Sequence, residues 1–214
     1  MKQCLLILMA AAALFVGAPA YSQYIFLDTN GDGVNSHAVP SAPDDFLNAS
    51  VTSVDIYIVT DKNRDGSAAI CNSAEPFTIN QYEFTLHAYG VGSVTYGSWT
   101  DNMGYNFGLV LCGDGTRCTA GPDIWIGRGD AAQSAPGKYK LGTLGVTVSG
   151  QPSLTFVTSS TLNPDAQTAF GSNCDGSRFD SLIRLGEDFL DADGTQFTDP
   201  VTATTWGKIK NKYR

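Results

Sequence analysis

Histidine is scarce in this 214-residue chain, which carries only His37 and His87. Nucleophilic catalysis needs a base beside a Ser or Cys, so the shortage leaves little to build it from. Zinc is disfavoured too, because no Cys-x-x-Cys spacing accompanies the two histidines. Basic charge is short as well. Against 21 Asp and Glu stand 13 Lys and Arg, for a net charge of −8. That balance argues against nucleic acid and against anionic membrane surfaces as partners. Beyond the first 20 residues there is no long apolar run, so no membrane-spanning segment is expected there. Helical patterning is rare. Charged residues make up only 16%, and Gly is frequent at 23 residues. Short strands joined by many turns have this composition.

What is present begins with Met1-Lys2-Gln3-Cys4, an apolar run from Leu5 to Val16, and the small-residue site Ala18-Pro19-Ala20. This reads as a secretory signal over residues 1–20, cleaved after Ala20. Its removal takes one lysine and no acid, leaving a mature charge of about −9. Export to an oxidising exterior turns the even set Cys71, Cys112, Cys118 and Cys174 into two expected disulfides. Three pairings are possible. The preferred one joins Cys112 to Cys118 around a tight loop and Cys71 to Cys174 across the chain.

Two stretches share an unusual pattern, Asp28-Thr29-Asn30-Gly31-Asp32-Gly33-Val34 and Asp61-Lys62-Asn63-Arg64-Asp65-Gly66-Ser67. Each follows a strand-like run and places oxygen-bearing side chains at positions 1, 3 and 5, with Gly at 6. Calcium takes six to eight oxygens, and such a loop can turn three side chains and the position-7 carbonyl inward. The expected ligands are Asp28, Asn30, Asp32 and Val34 in one loop, and Asp61, Asn63, Asp65 and Ser67 in the other. Position 12 is Val39 or Asn72, and no helix pattern flanks either loop, so these are neither EF-hands nor dockerin repeats. Further oxygens would come from Asp44, Asp45, Asp55, Glu75, or Asp191 and Asp193. The competing explanation is that Asp, Asn and Gly here simply form Asx-turns.

Strands are expected at 24–27, 54–59, 81–88, 91–100, 105–111, 123–127, 138–148 and 153–157, with two more near 179–185 and 196–197. In Gln81–Ala88 the alternation turns Tyr82, Phe84, Leu86 and Ala88 inward, and Glu83, Thr85 and His87 outward. Many short strands separated by turns predict an all-β fold, an Ig-like or jelly-roll antiparallel β-sandwich over residues 21–203. Residues 204–214 predict a short C-terminal amphipathic basic helix, with Trp206, Ile209 and Tyr213 on one side. Arg128-Gly129-Asp130 matches an adhesion tripeptide, and Asn48-Ala49-Ser50 a glycosylation sequon, each a bare pattern match.

The strand Tyr82-Glu83-Phe84-Thr85-Leu86, the run Gly137–Val148 and Leu154-Thr155-Phe156 together resemble a cohesin-type module over roughly Val51 to Gly186. That resemblance implies a jelly-roll sandwich of about nine strands, found on bacterial surfaces or scaffolding proteins. Related sandwiches include carbohydrate-binding modules with structural calcium. The two expected disulfides, the loops at Asp28 and Asp61, and the terminal helix depart from the cohesin pattern. The expected function is therefore a secreted, non-catalytic binding or surface-assembly module with structural Ca2+. Its partner would be an extracellular protein or a polysaccharide, and Tyr96, Trp99 and Tyr105 are the expected ligand-contacting aromatics. Trp125 is a fourth candidate for a sugar platform; Trp99 and Trp125 read equally as core residues, and for Trp125, between Ile124 and Ile126, the core is preferred. A glycan-acting hydrolase is the enzymatic alternative, and a surface-layer subunit the structural one.

Overall fold

The computed structural model describes residues 23–34, 45–63, 66–69, 77–112, 122–157, 168–171 and 182–184. Eight strands run through them: β1 (Tyr24–Asp28), β2 (Ser53–Val59), β3 (Ile79–Asp101), β4 (Phe107–Cys112), β5 (Asp123–Ser134), β6 (Lys138–Val157), β7 (Ala169–Gly171) and β8 (Leu182–Arg184). Every pairing between them is antiparallel. The described residues contain no helix, so their fold class is all-β, as expected. The signal segment 1–20, the helix expected at 204–214 and the strand expected at 196–197 lie outside the described residues.

The strands follow the order β1-β2-β6-β3-β5-β4, with β7 added to β3 and β8 to β7. Two strands are longer than the sequence predicts. The runs 81–88 and 91–100 are one strand, β3, and the runs 138–148 and 153–157 are one strand, β6. They pair from Thr85↔Val157 to Asp101↔Gly142, forming a ribbon that joins the two ends of the sheet.

This ribbon doubles back. Phe84 and Trp99 are 15 positions apart, which would be about 50 Å in a straight strand. Their ring centroids are 5.7 Å apart, edge to face. The closure is also polar. Tyr82 donates its hydroxyl hydrogen to Asp101 Oδ1, and the Tyr105 N–H donates to Asp101 Oδ2 at 3.0 Å.

The turn falls where both strands carry glycine. Gly90, Gly92 and Gly150 have φ of 88°, 135° and 75°. Side chains rarely adopt these values, so the backbone bends here while the ladder stays paired. A Cβ on Gly92 would collide with the Ser149 carbonyl oxygen, and one on Gly150 would lie 2.8 Å from the Val91 carbonyl oxygen.

Inside the fold, alternate residues of the strands meet. Val54, Ile56 and Ile58 (β2), Tyr82, Phe84 and Leu86 (β3), Ile124 and Ile126 (β5), Leu144, Val146 and Val148 (β6) and Phe170 (β7) belong to one buried cluster. The alternation predicts most of this. Thr85 departs from it: it points outward yet is buried, because Trp125 and Val157 flank it in register on either side.

Gly92→Ala forces an alanine into a φ of 135° and against Ser149. We expect a loss of about 2 kcal/mol or more in urea unfolding, with the outward-facing Val91→Ala nearly neutral.

Candidate functional site

The first acidic loop leaves the end of β1. Asp28 is only 1% exposed. Its Oδ1 accepts the N–H of Asn30 at 3.1 Å and of Gly31 at 2.7 Å, and its Oδ2 accepts the N–H of Gly33 at 2.7 Å. Asn30 Oδ1 accepts from the Asp32 N–H at 2.9 Å, and Asp32 Oδ1 from the Val34 N–H at 2.7 Å. Asp45 reaches in to accept the Thr29 N–H at 2.7 Å. The Lys138 ammonium donates to the Gly33 carbonyl. It also lies 5.0 Å from the Tyr57 ring centre and 5.6 Å from that of Phe26, two rings stacked 5.2 Å apart. Burial, followed by the Asp28 and Asp55 carboxylates, raises the Tyr57 phenol above its usual pKa.

The oxygens of this loop suit calcium in type. As arranged, they serve the backbone. An ionised carboxylate has about four acceptor positions, and Asp28 uses three on its own loop. Asp55, considered as an additional ligand, sits opposite Asp28 but accepts from Lys140 at 2.5 Å and Thr143 at 2.7 Å. Among the described residues, no three His, Cys, Asp or Glu side chains converge into a metal-holding group.

The second loop closes as a small hairpin through a Lys62↔Ala68 bridge. The Asn63 N–H donates to the Ser67 carbonyl at 2.9 Å, and Asn63 Nδ2 donates to Ser67 Oγ at 2.9 Å. The Asp61 carbonyl accepts the Ala69 N–H at 3.0 Å. Asp65 lies outside the described residues, as do Asp44, Glu75, Asp191 and Asp193. Of the cysteines, Cys112 ends β4, while Cys71, Cys118 and Cys174 lie outside the described residues.

The aromatics expected to contact a ligand are placed otherwise. Tyr96 is 3% exposed and donates to the Pro122 carbonyl at 2.8 Å; Tyr105 is 9% exposed and donates to the Ile79 carbonyl at 3.2 Å. Burial raises the pKa of both phenols, that of Tyr105 to about 12. Trp99 packs edge-on against Phe84 at the core. Tyr96 and Tyr105 offer no ring face to a sugar, and Trp99 is partly buried. A register shift between Tyr96 and Trp99 changes the phase of β3, so residues an odd number apart both point inward. Trp125 is corrected in the opposite sense. It points away from Ile124 and Ile126 and is half-buried on the outer face.

That outer face holds a trough of about 410 Å³. Two rows run across three strands, Gln81↔Gly129↔Phe107 and Glu83↔Gly127↔Leu109. The glycines of β5 leave the centre low, and β3 and β4 supply walls two strand spacings apart, about 10 Å. The Trp125 indole lies over Gly127, where a Cβ would be 2.8 Å from the ring. Phe107 and Leu109 are 72% and 60% exposed. One wall thus carries a carboxylate and the stem of Gln81, whose amide lies over Gly171 of β7 at that wall's far edge; the other carries an aromatic and an aliphatic side chain, with an indole between them.

Sequence reasoning missed this constellation. The available signal was the spacing of Trp125, Gly127 and Gly129, which share one face of a strand, since glycine within a strand marks close approach of another group. Two further expectations can be placed. Of Arg128-Gly129-Asp130, Arg128 and Gly129 are paired on both sides within β5, while Asp130 has no register partner and opens the irregular stretch that precedes Ser134. His87 points outward, as expected, with Nδ1 2.5 Å from Asp123 Oδ1 on the next strand and its ring stacked on Tyr89. No family, curated protein or solved structure matches the chain.

Asp28→Ala removes the acceptor of three backbone N–H groups, one of them buried. Measured in calcium-free buffer, it should cost about 3 kcal/mol by chemical unfolding. Asp32→Ala, at an exposed position with one such bond, should cost less than about 1 kcal/mol.

Proposed function

We propose that the chain is a secreted, non-catalytic binding module on a cohesin-like β-sandwich, and that it binds through the outer face of β3, β5 and β4. The observation carrying this is the placement of Phe107 and Leu109, exposed on one wall of a trough whose floor is Trp125 over Gly127. Large apolar groups left in water beside a shaped concavity mark a contact surface. The sandwich is supported by the doubled β3–β6 ribbon, which brings Phe84 against Trp99. The partner belongs outside the cell, in keeping with the signal-like start of the chain and its acidic charge.

The test compares the intact chain with a Phe107→Asp/Leu109→Asp double variant, both passed over immobilised material from the native extracellular fraction. Both side chains are exposed, so the variant should keep its melting temperature. Retention should fall at least about tenfold, the loss expected when central contacts of a surface are removed. Equal retention of the two proteins would reject this face.

Calcium is part of the proposal in a subordinate role, in the 28–34 loop and at Asp61, Asn63, Asp65 and Ser67 in the second. The oxygens of the first loop are of the right type, and an ion there would have to compete with the backbone N–H groups that now hold them. At a hundredfold excess over its dissociation constant, calcium would add about 2.7 kcal/mol. For a chain of this size that is roughly 5–10 °C in melting temperature. Chelator-stripped protein should show such a rise in millimolar calcium, and an unchanged melt removes the ion from the proposal.

A further inference from the structure

We infer that the trough over Gly127 and Gly129 takes a neutral glycan chain, with a pyranose ring lying on Trp125. This rests on the binding face proposed above and names the chemistry of its ligand.

Backbone bonding is the first constraint. The N–H and C=O groups lying between β3 and β5, and between β5 and β4, are spent in their ladders. An extended peptide laid along the floor would find no main-chain partner there, and its own amides would be desolvated at a cost. Polar recognition must come from side chains, and the lining supplies them mainly on one wall, as Glu83 with the Gln81 amide at that wall's far edge, over Gly171. The other wall is Phe107 and Leu109.

A pyranose matches this split. It has an apolar C–H face for an aromatic ring and hydroxyls around its edge for an amide and a carboxylate. The trough volume, about 410 Å³, lies within the range of small-molecule sites.

Charge narrows the class. Glu83 stands in the wall and the chain carries −8 overall; Arg128, the cation of the lining, pairs with Tyr82 and Gly108 and so turns its side chain to the face opposite Gly127 and Gly129. A uronic acid or sulfated polymer would meet like charge at both scales. The ligand is therefore an uncharged hexose or pentose polymer.

The test titrates the purified mature chain with cellohexaose, xylohexaose and mannohexaose, and with hexagalacturonate as the anionic counter-probe. Calorimetry reads the affinity, and tryptophan fluorescence reads the contact. At least one neutral hexaose should bind saturably and perturb the fluorescence. Trp125→Ala should abolish binding. Because this variant removes a half-buried side chain, Glu83→Gln and Gln81→Ala serve as the second arm, each expected to weaken binding about tenfold with melting unchanged. No binding by any neutral hexaose overturns the inference, as does stronger binding of hexagalacturonate, or neutral binding that survives all three variants. If the hexaoses fail while Phe107→Asp/Leu109→Asp still loses retention on native material, the ligand class is wrong and the face stands. If retention is also unaffected, both fall.

Discussion

The structure depends on a ribbon that folds over without losing its pairing. β3 and β6 stay hydrogen-bonded from Thr85↔Val157 to Asp101↔Gly142, yet Phe84 comes to rest on Trp99. Burial of apolar surface drives that closure, since the two halves of the ribbon carry much of the core between them. Glycine permits it. At Gly92 and Gly150 the φ values and the facing carbonyl oxygens both exclude a Cβ, so the bend needs glycine on each strand. The Tyr82–Asp101 hydrogen bond then fixes the position in which the halves meet.

Closing the ribbon decides which faces remain open. Tyr82, Phe84 and Leu86 are turned into the fold, so Gln81 and Glu83 must face out, and the ladder carries that phase to Gly129 and Gly127, then to Phe107 and Leu109. The trough thus follows from strand phase together with two missing side chains. Its relief comes from β5, where glycine at two successive outward positions lets the Trp125 ring lie flat along its own strand. The rigidity of the site is that of the sheet, because no loop contributes to the lining described.

Much of this was legible in the sequence, and the failures have physical causes. Alternation marked the inward faces of β2 and β3 because those strands keep one phase along their buried stretch. The even-numbered inward phase runs on to Tyr96 and changes at Trp99, where a bulge inserts a residue within one strand. Gly90 and Gly150 fall in the gaps left between expected strands, since glycine usually marks a break. Here glycines face each other across the ladder, and the same residues bend the strands without ending them. Trp125 was assigned to the core because its neighbours are isoleucines, although in a strand adjacent residues point to opposite sides. The trough was invisible because its two walls are more than 20 positions apart and meet only through β5.

The acidic loops carry the same lesson at the level of chemistry. Asp at position 1 and Gly at position 6 satisfy two different demands with one pattern. A cation wants the carboxylate oxygens, and so do the N–H groups of a tight turn. At Asp28 the turn holds three of the available positions, and burial makes each of those bonds costly to give up. Lys138 contributes a further cation, held by the Gly33 carbonyl and by the stacked rings of Phe26 and Tyr57. The loop is therefore shaped and partly charge-balanced by the protein itself. A divalent ion in this loop would share those carboxylate oxygens with the hydrogen bonds of the turn. Among the described residues, the exposed, uncharged wall of β4 has no comparable internal partner. Phe107 and Leu109 stand in water on the strand that ends the described sheet order, an arrangement that invites unwanted edge pairing unless something covers it. For that reason the binding proposed above is assigned to the outer face, and the acidic loop is described by its hydrogen bonds.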